Sequence, residues 1–435
     1  MWENFLVGAT IIFKWHNIAA IVFGSAFGII VGAIPGLTAT MAVALMIPMT
    51  FNLEPVTAIM MLLGVYKGGI YGGSISAILI KTPGTPAAAA TVLDGYQLTQ
   101  QGKSGKALKM AIYASCMADT LSDFVLIAVA PPLARFALRF GPPEIAMLIL
   151  FGLTVIAGVS GRSIIKGMIS GAFGLLLATV GLDPILTTRR FTFDIVDLDS
   201  GISLIPFMIG LFALSEVFFQ LGKKGHTEEE VYAIPRSKRP EDNRVSWSEF
   251  KANLKTILRG TFIGTVIGVI PGIGTGIAAF ISYGEAKRAS KHPEEFGKGS
   301  LEGVAAAEAG NSAVCGATLI PLLTLGIPGD IVTAVIMGAF LIHGLVLGPL
   351  LFKEHAALVY ALFVGIIVCD VTYFLLAFLF IRIAYVLGKV PRSWLFPIVM
   401  VFCVVGAYAI NNSLFDLCLL YTSDAADEGL GVDLG

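Results

Sequence analysis

Residues 67–96, KGGIYGGSISAILIKTPGTPAAAATVLDGY, constrain the fold more than any other stretch of the chain. They are too apolar for a surface loop and too rich in Gly, Pro and small hydroxyl residues for an uninterrupted helix. Residues 75–80 form an apolar run; Pro83 and Pro86, lacking an N–H, cannot continue it, and residues 87–93 can restart a helix. Two helix ends therefore face one another at residues 82–85. In hydrocarbon, unpaired backbone groups persist only where protein or a polar cavity satisfies them, so such a break marks a place for a polar solute or an ion.

Composition places the stretch in a membrane. The chain is 56% apolar and 14% charged, whereas soluble domains carry about 25% charged residues. Several apolar runs approach the roughly 20 residues of a spanning helix. With 29 basic against 30 acidic residues, it lacks the basic character of a nucleic-acid binder. Cys116, Cys315, Cys369, Cys403 and Cys418 show no CxxC spacing and read as buried thiols. The N-terminal residues carry one Lys and no small-residue cleavage pattern, so the run from residue 18 is expected to be retained.

The expected architecture is all-α: a polytopic membrane protein with two repeated halves, expected to be inverted, and broken or re-entrant helices. Residues 1–17 read as an interfacial segment, 18–221 as a first membrane repeat, 222–256 as a cytoplasmic linker, 257–420 as a second repeat, and 421–435 as an atypical acidic tail, disordered or foreign to the chain. The linker is assigned to the cytoplasm because Lys223, Lys224, Arg236, Lys238, Arg239, Arg244, Lys251 and Lys255 outnumber its acids. Residues 97–109 read as a polar connection, 111–136 as a helix interrupted at Pro131 and Pro132, 145–159 as a span, and 283–300 as a charged loop. If both basic loops are cytoplasmic, the segment between them enters the membrane and returns.

The repeat is legible in the residues. GIIVGAIPG at 28–36 recurs as GTVIGVIPG at 264–272, an offset of 236 that maps Gly28, Gly32, Pro35 and Gly36 onto Gly264, Gly268, Pro271 and Gly272. The TPG around Gly84 is echoed by IPG around Gly329 at an offset of 245. Paired Gly/Pro interruptions in two halves point to a secondary transporter with its site at the repeat interface.

Helix N-termini suit a carboxylate, and unwound carbonyls suit a cation. The substrate-binding candidates at the breaks are Pro35, Gly36, Thr38, Thr82, Pro83, Gly84, Thr85, Gly272, Gly274, Thr275, Pro328 and Gly329. On the helices they are Lys67, Ser74, Asn311 and Ser312. Back-bonding to its own helix is an equal alternative for any single Ser or Thr. Lys67 and Lys81 bracket YGGSISAILI; either can neutralise an anion or snorkel to the interface, the latter favoured for Lys81. Asp119, Asp123, Glu308, Asp330 and Asp370 are candidates for a cation or proton site, with Asp119, Glu308 and Asp330 put forward as the cation-binding set. No cofactor is expected, and no metal beyond Na⁺; Na⁺ or H⁺ would be the coupling ion. Enzyme signals are absent: Gly102, Lys103 and Ser104 imitate the end of a phosphate-binding loop whose earlier Gly would fall at Gln97, there is no HExxH, and the histidines are scattered. A hydrolase would need Ser74 or Asp330 as catalytic residue without a partner base.

With YGGSISAIL at 71–79, TPGTPAAAAT at 82–91, DGY at 94–96 and the two GxxPG phrases, the chain resembles the large membrane subunit of the tripartite tricarboxylate transporters, the TctA family, over residues 18–420. It departs from the family at Lys81, where Asn is expected. The resemblance implies a non-enzymatic permease of the bacterial inner membrane, crossing the lipid bilayer many times. Its implied partners are a small membrane subunit and a periplasmic substrate-binding protein. The implied activity is import of a carboxylate, such as citrate, coupled to Na⁺ or H⁺. A related dicarboxylate system or a stand-alone anion permease is the alternative.

Overall fold

In the computed structural model, residues 2–141, 143–144, 146–151, 164–183, 186–222, 237, 239–387 and 392–430 are described. Lys223, Lys224, Arg236, Lys238 and most of the span expected at 145–159 lie outside them. The protein is an all-α polytopic membrane protein. Helices α1 (Trp2–Ile12), α2 (Trp15–Ala33), α3 (Ala39–Thr50), α4 (Pro55–Ile80), α5 (Ala89–Gln100) and α6 (Ser104–Ala137) come first. They are followed by α7 (Ile164–Ala178), the two-residue strands β1 (Gly181–Leu182) and β2 (Arg189–Arg190), α8 (Leu204–Ile209) and α9 (Ser215–Gly222). The later helices are α10 (Trp247–Val269), α11 (Gly274–Ala289), α12 (Leu301–Leu325), α13 (Ile331–Ile342), α14 (Leu351–Glu354), α15 (Ala356–Leu387), α16 (Arg392–Asn411) and α17 (Leu414–Leu430). Among the described residues, four helices are long and apolar enough to cross a bilayer by length and composition: α2, α4, α6 and α15.

The chain gathers into two compact units, each assembled from separated stretches. The first comprises Met1–Val43, Asn52–Arg139 and Gly225–Pro391, and the second Ala44–Phe51, Phe140–Lys224 and Arg392–Gly435. In the second, β1 and β2 pair antiparallel, Arg189 bonds Asp199 at 2.7 Å, and α17 packs on α8 and on the π turn Gly210–Leu214. Helix α17 carries the acidic stretch as helix to Leu430.

The first unit is organised by glycine seams. Gly24, Gly28 and Gly32 of α2 face the carbonyls of Met61, Val65 and Gly69 of α4, where an added Cβ would lie 2.1, 2.3 and 2.3 Å from oxygen. Residue numbers on the two helices rise together, so α2 and α4 run parallel. In the second half, Gly260, Gly264 and Gly268 of α10 face Ala306, Gly310 and Val314 of α12 in the same way, at 3.2, 2.4 and 3.1 Å. The partner spacing is 37 residues in the first case and 46 in the second, and that difference of nine is the difference between the offsets 236 and 245. The halves also interlock, α6 packing along α12 and α15 along α4. Close approach of backbones across small residues is how apolar helices associate where water gives no driving force.

Several boundaries differ from the sequence expectation. Helix α6 begins at Ser104 and runs through Pro131 and Pro132, so the connection expected over 97–109 shrinks to three residues. In a packed membrane helix, neighbours and local adjustment accommodate the missing N–H. Helix α11 likewise runs into the charged loop as far as Ala289, with Lys287 and Arg288 in its last turn, where cations complement the helix dipole.

One end of this unit is polar. Ser237 N–H donates to Gly102 O at 3.1 Å, Lys109 to Asn243 O at 2.8 Å, and Gln101 to Lys298 O at 2.7 Å. Buried Asp94 accepts from the N–H groups of Gly297, Gly299 and Ser300 at 2.8, 2.9 and 2.8 Å and from Tyr283 at 2.8 Å, placing a negative charge at the start of α12. The segment before α10 and the segment after α11 thus meet at one end.

Candidate functional site

Helix α4 is buried over residues 57–79 and positions the candidate residues of both halves. At its C-terminal end the first break folds back on it. Lys81 closes the helix with a left-handed backbone at φ 60°, a conformation that favours Gly or Asn. Gly84 N–H donates to Gly73 O at 3.3 Å, and a Cβ on Gly84 would lie 2.1 Å from Gly32 O and 2.9 Å from Gly73 Cα. Thr85 opens the restarted helix by accepting from Ala88 N–H at 3.4 Å, and Thr82 turns back to Ile80 O at 3.3 Å. Pro83 is half-buried.

The second break repeats this geometry. Gly326, 245 residues after Lys81, is the left-handed terminus of α12 at φ 70°. Gly329 packs on Thr318 as Gly84 packs on Gly73, and its carbonyl accepts from Gly272 N–H at 2.9 Å. Gly36 and Gly272 share a left-handed backbone at φ 89° and 85°. Pro35, Gly36, Gly272, Gly274, Thr275 and Pro328 are half-buried, and Thr38 caps α3 by accepting from Met41 N–H at 3.1 Å. The starts of the restarted helices differ in charge: Thr85 is neutral, whereas its counterpart Asp330 caps α13 through Thr333 N–H at 2.7 Å. Asp330 also accepts from Tyr66 of α4 at 2.7 Å. Gly276 of α11 lies against Pro86, so the first break touches the second half.

One turn of α4 carries the charge. Lys67, next to Tyr66, directs its ammonium at Asp123 and Asp370, each at 2.5 Å, and at Asp119 at 3.2 Å. All four are buried to 2% exposure or less. Thr120 donates to Asp370 at 2.9 Å. Glu308 stands elsewhere, accepting from Thr91 and, at 2.8 Å, from Ser115. The acids put forward from sequence therefore occupy three places: Asp119 with Lys67, Glu308 between α5 and α6, and Asp330 at a helix cap. Ser74, Asn311 and Ser312 are buried, and among the described residues neither polar atom of the Asn311 amide has a hydrogen-bond partner.

The model of the tripartite tricarboxylate transporter TctA family matches residues 18–425. The chain belongs to that family. As a TctA protein it is a transporter component and not an enzyme, and the family implies partner subunits. It is 38% identical over 401 residues to an uncharacterized 52.8 kDa protein in the TAR-I ttuC' 3' region of Agrobacterium vitis, covering 92% of this chain and 79% of that one. It is also 38% identical over 147 residues, 34% of this chain and 61% of the other, to an uncharacterized protein in the TAR-II ttuC' 3' region of the same organism. No solved structure matches.

Within this TctA chain, sequence reasoning missed Tyr66, Thr91, Ser115 and Thr120, whose roles arise from contacts across helices. Asp119 and Asp123 were legible as an i, i+4 pair. Nothing in the sequence pairs either with Asp370.

Proposed function

We propose that this chain is the permease subunit of a secondary transporter in the bacterial inner membrane, importing a carboxylate handed over by a periplasmic binding protein. A small membrane subunit completes the assembly, and Na⁺ or H⁺ entry drives the uptake. The two halves are inverted repeats, with α2–α3 and α10–α11 as re-entrant hairpins. The observation that carries this reading is the pair of Gly/Pro breaks folded back in the same way on α4 and α12, since unwound backbone at membrane depth belongs where it lines a solute path.

The substrate carboxylate sits at the first break, held by Thr82, Thr85 and the backbone around Pro83 and Gly84, with Pro35, Gly36 and Thr38 behind it. Thr85 leaves the helix start neutral there, whereas the corresponding Asp330 already supplies an anion at the second. Gly272, Gly274, Thr275, Pro328 and Gly329 shape the opposite wall, and Ser74, Asn311 and Ser312 offer polar groups from α4 and α12. Lys67 acts on the substrate through its carboxylates, whose excess negative charge would repel an anion placed directly on them.

The test is uptake of labelled mono-, di- and tricarboxylates by vesicles holding the chain with and without its two partners. Saturable uptake of a di- or tricarboxylate that needs all three components is expected. Uptake without the binding protein would favour a stand-alone permease, and no uptake of any carboxylate would overturn the reading.

A further inference from the structure

Lys67 faces more carboxylates than one ammonium can neutralise when all of them are ionised. Three carboxylates face one ammonium, and among the described residues no second basic side chain lies within ion-pair distance of them. Fully ionised, the group carries two uncompensated negative charges at membrane depth, an arrangement proteins retain where an ion passes. One oxygen of Asp119, one of Asp123 and one of Asp370 converge within 4.8 Å of one another. Asp123 Oδ1 is buried and accepts no hydrogen bond, and it faces Gly316 of α12, where a Cβ would lie 2.3 Å away. The absent side chain makes room for that oxygen, which is left without a donor. Hard oxygen donors in this number suit a hard cation.

We infer that Asp119, Asp123 and Asp370 form a binding site for a monovalent metal cation of the size of Na⁺, and that the Lys67 ammonium is its tethered competitor. This rests on the reading of the chain as a cation-coupled carrier and names the place of coupling. With the cation absent, the ammonium occupies the centre of the three carboxylates; with it bound, the ammonium gives way. Tyr66, the neighbour of Lys67 on α4, bonds Asp330 at the second break, and Gly73, six residues or about 9 Å farther along the helix, contacts the first. Movement of Lys67 is thereby transmitted along one helix to both breaks.

The test uses the purified full chain without substrate or partners, so it stands apart from the uptake assay. Binding of ²²Na⁺ and the thermal unfolding midpoint are measured in NaCl against choline chloride at fixed pH. Saturable Na⁺ binding with stabilisation is expected. Asp123→Asn and Asp370→Asn should weaken apparent Na⁺ affinity about ten- to a hundredfold, while melting in choline chloride no lower than the wild type, because each removes excess buried charge. Lys67→Met should shift affinity the opposite way, toward tighter binding, which loss of a merely structural ion pair would not do. Absence of Na⁺ binding, or Asn variants with wild-type Na⁺ affinity, would overturn the site even if carboxylate uptake is found. Na⁺ binding that depends on Asp123 and Asp370 would uphold it even if uptake fails.

Discussion

At the scale of single residues, position 81 shows how a backbone requirement can pass for a functional one. Lys81 stands where the family resemblance implies Asn. In the structure the position ends α4 in the left-handed region at φ 60°, and Gly326 ends α12 in the same way at φ 70°. The Lys81 side chain is exposed, with its ammonium 5.8 Å from the Tyr96 ring centre. A left-handed backbone costs most side chains about 1–2 kcal/mol, whereas Asn bonds locally and visits it readily. Lys81→Asn should therefore raise stability by a few tenths to about 1 kcal/mol. A thermal midpoint at or below that of the parent protein would show that the site bears no strain worth relieving.

At the scale of elements, the seams between α2 and α4 and between α10 and α12 set the approach of the helices that carry the breaks. Gly64, Gly68 and Gly72 of α4 correspond, at offset 245, to Ala309, Ala313 and Ala317 of α12, so the first seam has a glycine row on both sides, whereas on α12 the second has alanine at those three positions and one facing glycine, Gly310. The first tolerates no added atom: Gly28→Ala would set a Cβ 2.3 Å from Val65 O, a backbone atom that cannot yield without moving α4. Overpacking of this kind costs about 1–3 kcal/mol, and the upper end is expected. Gly171→Ala in α7 meets nothing within 4 Å and should be neutral or gain up to about 1 kcal/mol from helix propensity. Unfolding midpoints of the two variants, measured side by side, decide the matter; equal midpoints would mean the α2–α4 seam is loose. The Gly periodicity was readable beforehand, but the uninterrupted course of α6 through Pro131 and Pro132 was not, because it depends on neighbours that satisfy the chain locally.

At the scale of the whole molecule, the first unit gathers residues 101–103, 237, 239–244 and 297–300 at one polar end that carries Lys and Arg. Basic residues accumulate on the cytoplasmic side of bacterial membrane proteins. With the proposed inner-membrane placement, an Arg239→Cys protein in a Cys418→Ala background, which removes the one exposed native thiol among the described residues, should resist a membrane-impermeant thiol reagent added to the periplasmic side of intact membranes. It should react once the membranes are opened. Labelling before opening would reverse the orientation.

The solvent explains what was legible in the chain alone. In hydrocarbon every backbone group must find a partner close by, so the membrane class, the breaks at Pro35–Gly36, Pro83–Gly84, Pro271–Gly272 and Pro328–Gly329, and the two offsets of the repeat were all written in local residue patterns. What tertiary structure alone decided was the partnership of charges. Lys67 meets Asp370 across 303 residues of chain and Tyr66 meets Asp330 across 264, because α15 and α13 of the second half pack on α4 of the first. A buried charge takes whichever counter-charge packing brings within a few ångströms, and no local pattern records that choice.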